Sequence, residues 1–422
     1  MTKVCKLIHV SVDNGKTEQS NKFYNMLEQP DGTFKVEYGR VGRAPKIESY
    51  PMSMWDKKYR EKTGVKGYKD VTNLFVESVT PTTPNSPAAK QSTIKNNTVR
   101  MFVDDLMGFA NKSIKTNYKV TQDNVTQAQV DEAQRIVDMI ASSVKVGCDI
   151  NSLNRELMQL YCVIPREMKN VKNHLFTTID NPKNLEQAQR LIANEQDTLD
   201  TMAGQVKLIT QQKEAMLTAS KTETEVEQDI LTQMGLEIVE VSKSEIDLIK
   251  KMMGSNANQF RKAFKVINKS TQIKFDKNLQ TTNNKSTDLF WHGSRNENWF
   301  NLMQQGLLLR PANAIITGKM FGLGLYFADK FQKSLGYTSL RGSYWSNGNS
   351  SSAYLALFET HVGNQYHIKH HNSSCYDLTD KNLKKLGDYD SVFAHGGADL
   401  RNNEYIIYTE QQCTIKYIVE VQ

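Results

Sequence analysis

The sequence predicts a multidomain α+β protein: a small sheet-plus-helix module, an all-α segment and a larger mixed α+β domain. Three observations carry this. Residues 1–78 alternate apolar and polar side chains between turn signals, residues 97–215 place apolar side chains at three-to-four spacing, and residues 216–422 mix the two periods. Residues 79–96 form a linker of Thr, Pro, Ser and Asn in which Pro81, Pro84 and Pro87 disfavour helix and nothing can supply a core.

The front module reads as a meander of three strands, residues 6–12, 21–26 and 33–38, with turns at Asp13-Asn14-Gly15 and Pro30-Asp31-Gly32. A helix over 54–63 follows, its Trp55 and Tyr59 one turn apart and directed at the sheet. In the all-α segment, Val125, Val130, Ala133, Ile136, Val137 and Ile140 trace one amphipathic stripe, and Leu153, Leu157, Leu160 and Tyr161 another that stops before Pro165. Asn181-Pro182 opens a further long helix with its proline in the first turn. In the last domain strands are expected at 235–241, 288–291, 324–328, 353–362, 404–408 and 415–421, and helices at 244–253, 255–266 and 297–305.

Composition bounds the function. At 422 residues the chain can bury cores without staples, and its five cysteines (Cys5, Cys148, Cys162, Cys375, Cys413) include no C-x-x-C pair, as suits reduced thiols in an intracellular compartment. No signal peptide or membrane span is expected from the alternating N-terminus, so no membrane partner is expected either. The net charge of +7 and a pI near 8.9 permit a polyanion partner and equally suit a mildly basic enzyme. Gly322-Leu323-Gly324 is a lone G-x-G, too little to argue a Rossmann site. His367, His370, His371 and Cys375 match no zinc-site spacing and fall in a polar stretch expected to be a surface loop, so no metal is expected.

The chemistry lies between 289 and 337. Leu-Phe-Trp-His-Gly-Ser-Arg295 is followed by Gly-Lys-Met-Phe-Gly-Leu-Gly-Leu-Tyr-Phe-Ala-Asp329 and by Lys-Ser-Leu-Gly-Tyr337, and Asn-Glu-Tyr-Ile-Ile-Tyr408 comes later. A strand ending Trp291-His292-Gly293 puts a glycine where backbone N–H and C=O can approach a ligand amide. Any one of these residues alone is more often structural; three motifs in order are not.

These segments resemble the NAD+-binding signature and catalytic-glutamate strand of the poly(ADP-ribose) polymerases. The resemblance implies an ADP-ribosyltransferase catalytic domain with NAD+ as substrate and His292, Tyr326 and Glu404 as catalytic residues. It further implies that His292 bonds the adenine-side ribose with help from Ser294, that Gly293 and Ser334 hold the carboxamide, and that Tyr326 and Tyr337 stack on the nicotinamide. Glu404 would stabilise an oxocarbenium-like transition state and orient the acceptor hydroxyl. A glutamate there goes with polymer formation in the family. One departure stands out: the family's Q-G-L-R run is here Gln305-Gly306-Leu307-Leu308, leaving Arg310 or Lys333 to make the adenosine or phosphate contact.

In the front module, Val36-Glu-Tyr38-Gly39-Arg40-Val41-Gly42-Arg43 resembles the WGR domain of the DNA-dependent members, with Tyr38 in place of its tryptophan. That implies phosphate contacts from Arg40 and Arg43 and stacking from Tyr38 at a DNA end. The segment Leu153-Asn-Arg-Glu-Leu-Met-Gln-Leu-Tyr161 resembles the family's helical regulatory domain. No zinc-finger or BRCT-like region is seen ahead of these, as in the shorter, finger-less members. The expected function is therefore poly-ADP-ribosylation of the chain itself and of nearby proteins, triggered by DNA strand breaks. Transfer of single units, or a catalytically weak DNA-end scaffold, are the alternatives. The nucleus is expected in a eukaryotic host and the cytoplasm in a bacterial or viral one.

Overall fold

The computed structural model describes residues 2–12, 19–75, 94–118, 125–145, 149–168, 170–178, 182–219, 229–309, 320–342 and 348–422. The turn at 13–15, most of the proline-rich linker, Cys148, Arg310 and residues 318–319 of the glycine-rich run lie outside them. The described residues form two compact units, one drawn from 1–87 and 111–207, the other from 88–110, 208–312 and 318–422.

In the first unit, strands β1 (Val4–Ser11), β2 (Ser20–Glu28), β3 (Thr33–Arg40), β4 (Lys46–Pro51) and β5 (Lys69–Asp70) make a five-stranded sheet in the order β4-β3-β2-β1-β5. The three expected strands are its centre. The two edges went unforeseen because β4 is almost wholly exposed and β5 has two residues, so neither shows alternation. Leu7, Tyr24, Met26, Phe34 and Val36 are buried on one face under helix α1 (Trp55–Arg60), whose Trp55 meets Phe34 edge-on at 5.1 Å. Tyr59 also joins this face, its hydroxyl donating to Asp70 at 2.9 Å.

The helical elements are α2 (Asn97–Tyr118), α3 (Gln127–Lys145), α4 (Ile150–Val163) and α5 (Pro182–Ala219). Asp149 caps α4 by accepting from the Asn151 and Ser152 amides, and the helix stops two residues before Pro165. The stripes expected on α3 and α4 are buried together, and Ile8 and Val10 of β1 join their core. Beyond α4, Arg166 makes a bidentate pair with Glu195 of α5 at 2.8 Å for both contacts, over the ring of Tyr161.

The second unit takes in the first half of α2, whose Phe102 stacks on Phe264 at 4.3 Å. Its further elements are α6 (Ile230–Gln233), β6 (Leu236–Glu240), α7 (Lys243–Met253), β7 (Phe260–Asn268), α8 (Lys269–Thr281), β8 (Thr287–Gly293), α9 (Trp299–Gln305), β9 (Leu325–Phe327) and α10 (Phe331–Leu335). They continue with β10 (Ala353–His361), β11 (Gln365–Ile368), α11 (Asp380–Gly387), β12 (Ser391–Ala394), β13 (Glu404–Ile407) and β14 (Cys413–Val421). One sheet runs β6-β7-β14-β10-β8 and a second β11-β12-β13-β9. Ser242 and Glu245 form a capping box on α7, and the backbone and side-chain bonds from Ser242 hold the Glu245 carboxyl down at about 2.

The helix expected over 255–266 is instead a short 3₁₀ turn followed by β7, which pairs antiparallel with β6 and β14. Phe260, Ala263, Phe264 and Ile267 fall at helical spacing, yet Ala263, Phe264 and Val266 are buried on both sides of a central strand, where periodicity carries no information. His367, expected on a loop, stands on edge strand β11.

Candidate active site

The two sheets of the second unit meet at one bridge. Trp291 and Ala328 exchange both backbone hydrogen bonds, at 2.8 and 3.0 Å, so the end of β8 lies beside the end of β9. This sets His292 against Tyr326: His292 Nδ1 is 3.1 Å from the Tyr326 carbonyl oxygen. A carbonyl only accepts, so Nδ1 carries the proton and Nε2 is left as an acceptor. Burial lowers the pKa of this imidazole, with the Tyr326 carbonyl acting weakly the other way. The ring is neutral near pH 7.

The next residue is Gly293, and the space a side chain would occupy there is taken by α10. A Cβ on Gly293 would stand 1.9 Å from the Ser334 carbonyl oxygen. The glycine therefore allows a backbone, not only a ligand, to come close. It brings Ser334 (4% exposed) next to the His292 strand, while Tyr337, three residues on, is 42% exposed. Ser294 accepts from Asn298 Nδ2 at 3.1 Å.

The glycine pair Gly322 and Gly324 has a packing role. Gly322 sits at φ +74° with the Leu378 carbonyl oxygen 2.1 Å from its Cβ position, and the Cβ position of Gly324 lies 2.2 Å from Ile406 Cγ2. The turn they make anchors Tyr326, whose hydroxyl donates to the Gly322 carbonyl at 2.8 Å and accepts from the Phe321 amide at 3.0 Å. Burial, and then the Glu404 charge, raises the pKa of this phenol, so it stays a neutral donor.

Strand β13 supplies Glu404. Tyr326 pairs with Ile406, two residues from Glu404, which puts both side chains on one face of the sheet. Lys333 Nζ reaches Glu404 Oε1 at 2.5 Å and the Asn403 carbonyl at 3.2 Å. Both partners of the pair are largely buried, at 16% and 12% exposed. Burial pushes the Lys333 ammonium down and the Glu404 charge pushes it back up. Glu404 Oε2 is buried and has no hydrogen-bond partner among the described residues. Such an oxygen is costly unless a donor arrives, and a ribose or acceptor hydroxyl is a donor of the right kind. Tyr337 also feels the Glu404 charge, after burial, in a raised pKa.

Sequence reasoning missed Asn403, which holds the start of β13. Its Nδ2 donates to Asp329 at 2.7 Å, its Oδ1 accepts from the Gly396 amide at 2.9 Å and its carbonyl takes Lys333. Its place directly before Glu404 in the same motif was the available signal. Leu308 is 43% exposed, with the neighbouring Leu309 amide bonded to Glu410 at 2.9 Å.

The other singled-out residues lie elsewhere. In the first unit the Tyr38 hydroxyl donates to Glu48 at 2.7 Å, and the Arg40 guanidinium donates to the Gln19 and Met168 carbonyls at 3.3 Å each. The Arg43 side chain is 69% exposed, 3.9 Å from Glu167. Among the described residues no three His, Cys, Asp or Glu side chains converge as metal ligands, and no helix is long and apolar enough to cross a membrane.

Comparison with known proteins decides the family. Residues 243–422 match the poly(ADP-ribose) polymerase catalytic domain. A putative poly(ADP-ribose) polymerase-like protein, 100L, of Invertebrate iridescent virus 6 is 34% identical over 150 residues, covering 35% of this chain and 77% of that protein. The chain belongs to the poly(ADP-ribose) polymerase family. An uncharacterized protein of the same virus, 101L, is 32% identical over 207 residues, 49% of this chain and 79% of its own length. Human poly(ADP-ribose) polymerase 2 is 30% identical over 158 residues, which cover 32% of this chain and 26% of the human protein. As a member of this family the chain is an ADP-ribosyltransferase, and NAD+ is its substrate.

Proposed function

We propose that this polymerase-family chain builds ADP-ribose polymers on itself and on nearby proteins, that DNA strand breaks switch it on, and that His292, Tyr326 and Glu404 carry the reaction. The observation that supports this best is the Lys333–Glu404 pair, which leaves Glu404 Oε2 buried and unbonded on the same sheet face as Tyr326.

In this reading His292 Nε2 accepts from a hydroxyl of the adenine-side ribose, with Ser294 beside it. Gly293 and Ser334 hold the carboxamide, and Tyr326 and the open ring of Tyr337 flank the nicotinamide. The glycosidic bond breaks with its electron pair leaving on nicotinamide, and positive charge grows on the ribose ring. Glu404, held in place by Lys333, faces that charge and takes a hydrogen bond from the acceptor hydroxyl. The contact of the arginine absent at Leu308 falls to Arg310 or Lys333, and Lys333 would have to leave Glu404 and the Asn403 carbonyl to make it.

Residues 97–215 act in this proposal as a helical regulatory domain ahead of a catalytic domain at 216–422. Residues 1–78 act as a WGR-like module meeting a DNA end. Arg43 is the exposed phosphate contact there, whereas Arg40 would have to leave two carbonyls to join it. The leucine at 308 favours a second reading, transfer of single units from a loosely held donor. Incubating the chain with NAD+, with and without a 5′-phosphorylated nicked duplex, separates these on a gel. A DNA-dependent ladder supports the proposal; a single shifted band supports mono-transfer; a product indifferent to DNA removes the break sensor.

A further inference from the structure

Asp329 is a carboxylate that the reaction described above does not use, and it stands at the junction of the two sheets. It follows Ala328, the residue whose backbone bonds with Trp291 bring β8 and β9 together. Phe327 pairs with Tyr405, and that antiparallel register, continued past Phe327, sets Ala328 opposite Glu404 and Asp329 opposite Asn403. The side chains complete the pairing, since Asn403 Nδ2 donates to Asp329 Oδ2 at 2.7 Å. Beside it Lys330 Nζ donates to Asn402 Oδ1 at 3.3 Å, so the turn between β9 and α10 is tied twice to the residues entering β13.

The sense of these bonds is fixed. A carboxylate only accepts, so the Asn403 amide presents Nδ2 to Asp329 and turns Oδ1 to the Gly396 amide, 2.9 Å away. A Cβ on Gly396 would stand 2.8 Å from the Asn402 carbonyl carbon and 2.9 Å from the Asn403 nitrogen, so the chain entering β13 is pressed against the loop that Asn403 bonds. With its side chain held at both ends, Asn403 aims its carbonyl at Lys333 Nζ, 3.2 Å away, and the same ammonium takes Glu404 Oε1. Burial pushes that ammonium down, and Glu404 first and then Asp329 push it back up. A carboxylate that must face charge growing on a ribose is sensitive to small displacements: a misplacement of roughly 1 Å can cost on the order of 10²-fold in rate.

We propose that Asp329 is a positioning residue for NAD+ cleavage: its bond to Asn403 fixes the entry of β13, so that Glu404 meets Lys333 in a single geometry. The proposal rests on the reading of Glu404 as the catalytic carboxylate and deepens it. Asp329 acts through Glu404 and not on NAD+, so its removal slows the bond-breaking step and leaves donor binding in place.

The test follows nicotinamide release over a range of NAD+ concentrations by the full chain, with the nicked duplex present, after far-ultraviolet circular dichroism has verified that each variant folds. Asn403→Asp sets two carboxylates face to face, whereas the exchanged pair, Asp329→Asn with Asn403→Asp, again offers one amide donor to one carboxylate. The expected result is a fall of at least tenfold in kcat for Asn403→Asp with KM for NAD+ within threefold of wild type, and recovery of kcat to within threefold of wild type in the exchanged pair. Asp329→Ala, which adds no charge, carries the same comparison should Asn403→Asp not fold, and it too should lose at least tenfold in kcat at constant KM. In a Glu404→Gln background Asp329→Ala should lower kcat no more than twofold further, because the group it positions is already lost. A folded Asp329→Ala chain with wild-type kcat overturns the proposal. So does a loss confined to KM, an exchanged pair as slow as Asn403→Asp, or a further tenfold loss in the Glu404→Gln background. Wild-type turnover by Glu404→Gln alone would sink the reading of Glu404 instead, whatever the Asp329 variants do.

Discussion

Glu404, the proposed catalytic residue, is held by Lys333. The pair is mostly buried, so removing one partner strands the other: Lys333→Met should cost about 3–5 kcal/mol of stability, read as a lowered denaturant midpoint. His292 makes a prediction of sign. Its folded pKa lies below the ordinary 6.5, so the unfolded chain binds the proton first as pH falls. Its contribution to stability is intact above 6.5 and is lost progressively as pH falls from 6.5 toward the lowered folded value. Thermal melts from pH 7.5 to 5 should show that slope for wild type, and His292→Gln should flatten it. A slope unchanged by the substitution would mean that other groups govern the acid limb.

Elements place these residues, and their legibility in the sequence varied for physical reasons. The strands carrying His292, Tyr326 and Glu404 were legible because glycines and turn residues bracket them. The roles of Gly293, Gly322 and Gly324 were not, since each serves a neighbour distant in sequence: Ser334, Leu378 or Ile406. Gly293→Ala should therefore destabilise by about 1–3 kcal/mol through forced displacement of α10, and nicotinamide release should fall with it. Strand β7 was read as a helix because a strand covered on both faces need not alternate, and β11 and β12 are only four residues long. Cap chemistry was more local. Asn268 caps α8 through the Thr271 amide, and its Nδ2 also donates to the Met303 and Gln304 carbonyls at 2.7 and 2.8 Å. Asn268→Ala should lose about 2 kcal/mol, more than an exposed cap, because two buried carbonyls are left bare.

At the scale of the whole molecule, the second unit contains the described residues matched to the family's catalytic domain, and the first brings a sheet and helices together on one core. Within that first unit the loop after α4 gathers contacts from the sheet: Asn21 Nδ2 donates to the Arg166 carbonyl at 2.8 Å, and Arg40 donates to that of Met168. Arg166 in turn is paired with Glu195. Arg166→Met should thus destabilise the first unit by about 3–5 kcal/mol, visible in chemical unfolding. The central claim concerns the second unit, that Glu404 is the group on which NAD+ cleavage depends. The direct measurement is nicotinamide release from NAD+ by the wild-type chain and by Glu404→Gln, which keeps the shape and removes the charge. A fall of about 10²–10³ in rate is expected, the size of effect seen when one preorganised electrostatic group is lost. A folded Glu404→Gln chain that releases nicotinamide at the wild-type rate would contradict the account.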